Sequence, residues 1–282
     1  MDLDERIVAR LAAQSGVSSV TEFVELGVSR YVVDRAVAAG LLVRLRRNVV
    51  VNPAVWSAAA PWERHALRAR GTARAWRGAP FAMSHHSALA LLGVPLYGVD
   101  NRVHLVRLGE GESRRGGGTR IHASVPETFL AKVDDIHVVT APLATLQVAA
   151  DFGVEAGLVS ADALLRVQPE DDLSAALAVA RLGNGEPRAE LTVQLADGRA
   201  ESAGESRSRW VMRVAGLTAP ELQVWIRDGD GFAARVDFLF REQRVVVEFD
   251  GMLNLTCDAL VTPRDSGGPG CRGPRLGSAD WR

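Results

Sequence analysis

Cysteine is almost absent from this chain. Its two copies, Cys257 and Cys271, both fall in the last segment, which excludes a disulfide scaffold and a cysteine-built zinc site. Lysine is rarer still: Lys132 stands alone, and arginine carries nearly all the positive charge, a bias that a GC-rich genome encodes and that points to no partner. Net charge is lacking as well. At −1 over 282 residues the chain has no overall pull toward nucleic acid or membrane, so any basic surface must be local. No apolar run approaches the roughly 18 residues that a membrane span needs, and the start, MDLDERIVARL, is acidic where a secretion signal is basic and then apolar. A cytoplasmic protein without membrane contact is expected. The glycine-rich stretch GEGESRRGGG lacks the Gly-Lys-Ser/Thr ending of a phosphate-binding loop, which leaves nucleotide binding unsupported. What remains is a globular composition, 47% hydrophobic and 24% charged, with length enough for two or three domains that each bury a core.

The N-terminal residues carry clear periods. In DERIVARLAAQSG, Ile7, Val8, Leu11 and Ala12 recur at helical spacing and Gly16 is a stop signal. A short helix follows from about Val20 to Leu26, then a turn at Gly27 and a third helix that Ser29 can cap. In the third helix Val32, Val33, Ala36 and Val37 form one apolar stripe, leaving Arg30, Tyr31, Asp34 and Arg35 on the open side. The period then changes to two, with Val43 and Leu45 alternating with Arg44 and Arg46, a turn near Arg47-Asn48, and a returning VVV. Helix, helix, helix, hairpin is the order of a winged helix-turn-helix, whose third helix enters the major groove while the arginines of its wing meet phosphates. Arg30, Arg35, Arg44, Arg46 and Arg47 face a single acid, Asp34, so with Ser29 they are the candidate DNA-binding residues and double-stranded DNA is the expected partner. The alternative is a small helical domain whose arginines are simply solvated, or a wing that binds protein.

The text GVSRYVVDRAVAAGLLVRLRRNVVV, with its small-residue turn, Ser-Arg helix start and basic wing, resembles the N-terminal domain of AbiEi-type antitoxins over about the first fifty residues. That resemblance implies a DNA-binding autoregulator of a type IV toxin-antitoxin system, with a cognate toxin protein as a further partner.

Beyond a winged domain at residues 1–52, residues 53–200 read as a mixed α/β module. PWERHALRARGTARAW and SHHSALALLGVP are helical, the second with a Ser84 cap and an end at Gly93 and Pro95. His85 and His86 invite a metal, but adjacent helical residues point about 100° apart and no third ligand stands at a recognisable spacing, so packing or hydrogen bonding near the cap is expected of them. RVHLVRL, GTRIHAS and IHVVT read as short strands, the first two joined through the glycine-rich loop as a hairpin whose tip carries Arg114 and Arg115. TAPLATLQVAADFGVEAGLVSADALLR returns to helical spacing from a Thr140 cap with Pro142 in the first turn. SHHSALALLGVP and VVTAPLATLQVAA also look like the central part of actinobacterial proteins that carry the antitoxin-type head. No active site is visible in this module, which suits dimerisation, spacing or packing; a homodimer is among the expected assemblies.

Residues 201–253 pose a different problem. In RVDFLFREQRVVVEFDG, a turn centred on Glu242-Gln243 sets Phe240 against Val245, Phe238 against Val247, and Asp237 across from Glu248. Val236, Phe238, Phe240, Val245, Val247 and Phe249 then share the core face, while Asp237, Glu248 and Asp250 crowd the open end of the other. Like charges directly opposed are destabilising, and a divalent cation such as Mg²⁺ would offset them. Arg235 across from Asp250 is the alternative means of balance. Upstream, ESAGESRSRWVMRVAGL offers Glu201 and Glu205 at the start of an amphipathic helix with Trp210, Val211, Val214 and Leu217 as its apolar positions; acids there also suit the helix dipole. The pieces ESAGESRSRW, AGLTAPELQVWI, RVDFLF and VVVEFDG resemble, in this order, the domain family related to the very-short-patch-repair (Vsr) endonucleases, a branch of the PD-(D/E)xK nucleases. The resemblance implies an incomplete restriction-endonuclease-like fold, Asp237 and Glu248 as Mg²⁺ ligands, Glu205 as an auxiliary acid, and Asp250 where many relatives carry the motif lysine.

After EFDGM the text loses periodicity and gains Gly, Pro and Ser; residues 254–282 read as an unstructured or frameshifted tail, where nuclease-like relatives run on into a basic helix and further sheet. The fold class expected is therefore α+β, a winged head followed by a mixed module and a shortened nuclease-like end. The leading function is an antitoxin-like DNA-binding transcriptional regulator. A Mg²⁺-dependent DNA endonuclease, crippled by loss of its C-terminal half, and a non-catalytic toxin-binding scaffold are the alternatives.

Overall fold

The computed structural model describes residues 2–109, 114–167, 171–227 and 233–249, so Asp250, both cysteines and the tail lie outside the described residues. Among the described residues the chain is α+β, with three separate sheets, and it divides into two compact units, Met1–Gly198 and Arg199 onward.

The first unit opens with α1 (Glu5–Ala13), β1 (Val17–Ser19), α2 (Val20–Glu25), α3 (Arg30–Ala38), β2 (Val43–Arg46) and β3 (Val49–Val51). Each helix starts on a polar cap: Asp4 accepts from the Arg6 N–H, Ser19 from the Glu22 N–H and Ser29 from the Val32 N–H. Ile7, Leu11, Phe23, Val33, Leu42 and Val50 close one core, and β2 and β3 turn back on each other through Asn48 at φ +66°. This order is compatible with a winged helix. Two details differ from the sequence reading. Val17–Ser19 forms an extra strand, giving an antiparallel sheet in the order β1-β3-β2, and Val32 of the expected apolar stripe is exposed, the core-facing side of α3 being Val33, Ala36 and the partly buried Val37.

Two further helices, α4 (Pro53–Ala58) and α5 (Pro61–Ala75), close the other side of that sheet, where Val17, Val49 and Val51 pack with Leu67. Gly71 permits the approach: a Cβ there would stand 2.4 Å from Cγ1 of Val49. The chain then builds β4 (Phe81–Met83), α6 (His85–Leu92), β5 (Val103–Arg107), β6 (Arg114–Gly116), β7 (Thr119–His122), β8 (Leu130–Val133) and β9 (Ile136–Val139) into a sheet of order β6-β7-β5-β4-β9-β8. Here the expected hairpin of RVHLVRL and GTRIHAS is corrected. β5 and β7 run parallel, and the hairpin is β6 with β7, made by the Gly117-Gly118 turn, both of whose φ angles are positive. Arg114 and Arg115 therefore belong to a strand, not to a loop tip. Four helices, α7 (Ala141–Phe152), α8 (Val154–Leu165), α9 (Asp171–Val179) and α10 (Glu186–Leu195), complete the unit around Leu146, Ala161 and Leu173.

The second unit holds α11 (Ala203–Val214) and an antiparallel sheet of β10 (Glu221–Arg227), β11 (Ala233–Phe240) and β12 (Val245–Val247). Phe240 pairs with Val245 and Phe238 with Val247, the register that a turn at Glu242-Gln243 demands. The apolar positions expected of α11 do not form a core: Val211, Val214 and Leu217 are 59%, 68% and 53% exposed. Among the described residues this unit is one helix and three strands, too little sheet to cover that face.

Candidate functional site

On the head, the residues between the start of α3 and the wing turn border a groove of about 420 Å³, lined by Arg30, Asp34, Arg44, Arg46, Arg47 and Asn48. Local pattern brings them there, since α3 presents Arg30 and Asp34 on its outer side and β2 alternates Arg44 and Arg46 beside it. The arginines are not equivalent. Arg30 and Arg47 are exposed; Arg44 pairs with Asp34, tying the wing to α3. Arg46 turns inward: its guanidinium donates to Oγ1 of Thr72 at 3.1 Å, lies 5.3 Å over the Trp76 ring, and is held below the usual arginine range by burial. A side chain so engaged is a strut between wing and α5, which corrects the reading of Arg46 as a phosphate contact. Arg35 stands 6.0 Å over the exposed Tyr31 ring, and Ser29 spends its hydroxyl on the helix cap.

Beneath the groove Glu22 anchors the head. Its carboxylate accepts from the Ser19 N–H, the hydroxyls of Ser18 and Ser19 and Nε2 of Gln14, and meets Arg74 of α5 at 3.4 Å. Burial alone would raise this carboxyl; the hydrogen bonds from Ser19, Gln14 and Ser18 and the charge of Arg74 outweigh it and hold the group below its usual range.

In the second unit the acids meet an amide where opposed charges had been expected. β12 ends at Val247, so Asp237 and Glu248 are not a ladder pair. Asp237 instead accepts the Phe249 N–H at 2.8 Å and Nε2 of Gln223 at 3.1 Å, and the same Gln223 nitrogen reaches Oε2 of Glu205 at 2.9 Å. Gln223 holds a left-handed φ of +54° on β10, between the pairs Leu222–Phe238 and Val224–Val236, which aims it at Asp237. Glu205 also caps its own helix through Ser202 and the Glu201 N–H. Arg235 pairs with Glu201 at 2.6 Å, while Asp250, the partner expected of it, lies outside the described residues. Glu248 is exposed. Gln223 escaped the sequence reading because nothing local marks a glutamine as the link between two carboxylates.

A third constellation lies in the six-stranded sheet. His85 begins α6, His104 sits on β5, His122 ends β7, and Asp151 lies near the end of α7. The three imidazoles place one ring nitrogen each within 4.8 Å of one another, and among the described residues they are the one such group of histidine, cysteine and acidic side chains. Nδ1 of His104 faces Nε2 of His122 at 3.0 Å, while Oδ2 of Asp151 lies 3.4 Å from Nε2 of His85 and 4.0 Å from Nδ1 of His122. The outward nitrogens are taken: Oγ of Ser84 is 3.0 Å from Nδ1 of His85, and Oδ1 of Asp100 is 3.1 Å from Nε2 of His104. His85 keeps a left-handed φ of +50°, and its N–H donates to Oε1 of Gln147. Burial pushes all three rings down, His104 to about 4 and His122 to about 2, while the His85 hydrogen bond holds the Asp151 carboxyl down near 2. At neutral pH the rings are uncharged and the acid is ionised. The cluster opens on a cavity of about 540 Å³ that His85, His122, Gln147, Asp151 and Arg181 border.

His86 does diverge from His85, as helical geometry requires, and its Nε2 is 2.9 Å from the Tyr97 carbonyl. The partners of His85 come instead from strands 19 and 37 positions away, where no spacing rule applies; a histidine in each of two short strands was the available signal.

Comparison with known proteins agrees with the head. Residues 5–53 match the family model described as "Transcriptional regulator, AbiEi antitoxin". Over 173 residues the chain is 35% identical to the Mycobacterium tuberculosis proteins described as uncharacterized protein Rv2248 (strain H37Rv) and uncharacterized protein MT2308 (strain CDC 1551), which covers 58% of this chain and 63% of each relative. The crystal structure of the RV2827C protein from Mycobacterium tuberculosis aligns over 78% of this chain and 83% of its own, with 15% identity and a TM-score of 0.42.

Proposed function

We propose that this protein is a DNA-binding, antitoxin-like transcriptional regulator of a type IV toxin-antitoxin system, with double-stranded DNA and a cognate toxin as partners. The observation that carries the reading is the basic groove formed by Arg30, Arg44 and Arg47 within the segment that matches the antitoxin regulator model. Outward arginines on a helix start and an adjoining wing supply the phosphate contacts that orient a reading helix. The test is binding of the full chain to the DNA upstream of its own gene, measured across a salt series. Specific binding that weakens steeply with salt is expected, together with loss in an Arg30→Ala/Arg47→Ala variant of unchanged melting temperature. Equal binding by that variant would remove the reading.

A second reading, a Mg²⁺-dependent DNA endonuclease, draws support from the approach of Glu205 and Asp237 to one Gln223 amide. In it Asp237 and Glu248 would hold the ion, with Glu205 as an auxiliary acid, and Mg²⁺ would polarise the phosphodiester and activate water. Mg²⁺-dependent nicking of supercoiled plasmid, lost in Asp237→Asn, is its expected result; an intact plasmid with wild-type protein rejects it.

A further inference from the structure

The histidine cluster in the six-stranded sheet belongs to neither reading. We infer that His85, His104 and His122, with Asp151 as fourth ligand, form a site for a divalent transition metal of the zinc class.

Three histidines from three elements bring ring nitrogens within 4.8 Å of one another beside a cavity, and Asp151, from a fourth element and 66 positions from His85, lies 3.4 Å from the His85 ring. Nothing in sheet or helix packing requires that a core gather three imidazoles, which cost free energy to bury unless their polar atoms are used.

The ring nitrogens left over also suit an ion. A metal-bound imidazole characteristically gives its other nitrogen to a carboxylate, carbonyl or hydroxyl, which fixes ring orientation and tautomer. His104 follows this pattern with Asp100 and His85 with Ser84, so that Nδ1 of His104 and Nε2 of His85 both face inward. Asp151 is itself steadied by Arg120 at 3.2 Å, as a ligating carboxylate commonly is by a neighbouring donor.

Ligands about 2.1 Å from a tetrahedral ion stand about 3.4 Å apart. The His85–Asp151 separation of 3.4 Å matches that spacing, the His104–His122 separation of 3.0 Å is a little shorter, and the three ring nitrogens lie within 4.8 Å of one another. The His85 and His122 rings are stacked with centroids 4.0 Å apart, so metal capture requires one of them to turn about its Cβ–Cγ bond. His122 is the ring with room, being 16% exposed where His85 is 4%. Three nitrogens and one oxygen suit zinc or a neighbouring late first-row ion and do not suit Mg²⁺, which prefers an all-oxygen shell. The cavity leaves space for water or a small ligand on the ion's open side.

The full chain, stripped with a chelator and dialysed, should take up one equivalent of Zn²⁺ by calorimetry, and Co²⁺ should give the intense visible absorption of a four- or five-coordinate ion. His122→Gln should abolish both. Asp100→Asn lies outside the ligand set on a half-exposed residue, so it should leave the fold intact and weaken affinity about 10- to 100-fold. A Cys257→Ser/Cys271→Ser variant should bind as wild type. Failure of the wild-type chain to bind either ion overturns the assignment. So does binding that survives His122→Gln, or binding that is lost with the cysteines.

Discussion

The groove on the head and the cluster in the sheet each gather nitrogen-rich side chains, but water is left in one and removed from the other. Arg30, Arg44 and Arg47 keep their charge because they are solvated and screened, and an exposed guanidinium is worth most to a polyanion that arrives later. His85, His104 and His122 are covered by α6, α7 and the strands, which removes their charge and turns them into neutral donors of lone pairs. The same contrast runs along the chain. The charged residues of the groove come from residues 30 to 48 and the cluster from residues 85 to 151, so the charge of the proposed DNA surface is written locally and the proposed metal pocket is assembled from afar.

The sharpest way to break this comparison is to ask whether the head is a body of its own. Glu22 is the test, because Arg74 of α5 reaches it from outside the winged segment. Glu22→Gln leaves the serine hydroxyls, Gln14 and Arg74 without their anion, and a loss of about 2–4 kcal/mol is expected. A single melting transition shifted to lower temperature would mean that head and sheet unfold together; an early transition of the head alone would mean that they do not. The Glu22 carboxyl is depressed in the folded state, so its stabilisation is present above its usual value of 4.5 and disappears as pH falls through the folded value. The variant should therefore flatten the acid limb of the stability curve.

A somewhat smaller effect is expected at the seam itself. Gly71→Ala improves helix propensity by about 1 kcal/mol, but its Cβ would meet Val49 at 2.4 Å and Val17 at 3.1 Å, both β-branched and buried. Overpacking of this kind costs about 1–3 kcal/mol. Net destabilisation, read by denaturant midpoint, together with weaker DNA binding would tie the wing's position to α5. Stabilisation would show that the seam yields.

What could be read beforehand follows the same division. Helix periods, the cap at Ser29 and the change to a period of two at Val43 are local, and they place the head's helices and wing to within a residue or two. The β11–β12 register was equally legible, because alternation fixes which residues oppose once the turn is known. Arg46 was misread as outward because alternation in β2 gives a face but not what covers it, and here α5 brings Thr72 and Trp76. The parallel β5–β7 pairing was illegible for a related reason: nothing in either strand says that β6 will take the antiparallel place. With that pairing hidden, His104 and His122 were two isolated residues.

On the groove, the double change Arg30→Ala/Arg47→Ala should make the salt slope of DNA binding shallower by about 0.9 for each phosphate contact removed. Arg46→Ala should behave differently, lowering thermal stability through the lost Thr72 and Trp76 contacts before it touches the slope. If both variants change the slope alike, Arg46 swings out on binding and the inward strut is a feature of the free protein.

The smallest effect is the most discriminating, because it adds affinity. Asp34 is the one acid lining the groove, and its pairing with Arg44 competes with any phosphate for that guanidinium. The acid is 63% exposed, and exposed ion pairs contribute about 0.2–1 kcal/mol, while Asn and Asp have similar helix propensities, so Asp34→Asn should leave the melting temperature nearly unchanged. Freed Arg44 then counts as one more phosphate contact and a like charge leaves the DNA-facing side. Affinity at low salt should rise by about two- to fivefold, as expected for about 0.4–1 kcal/mol, and the salt slope should steepen by about 0.9. A variant that binds no better would place Arg44 and Asp34 off the DNA footprint and leave α3, through Arg30, as the side that meets the duplex.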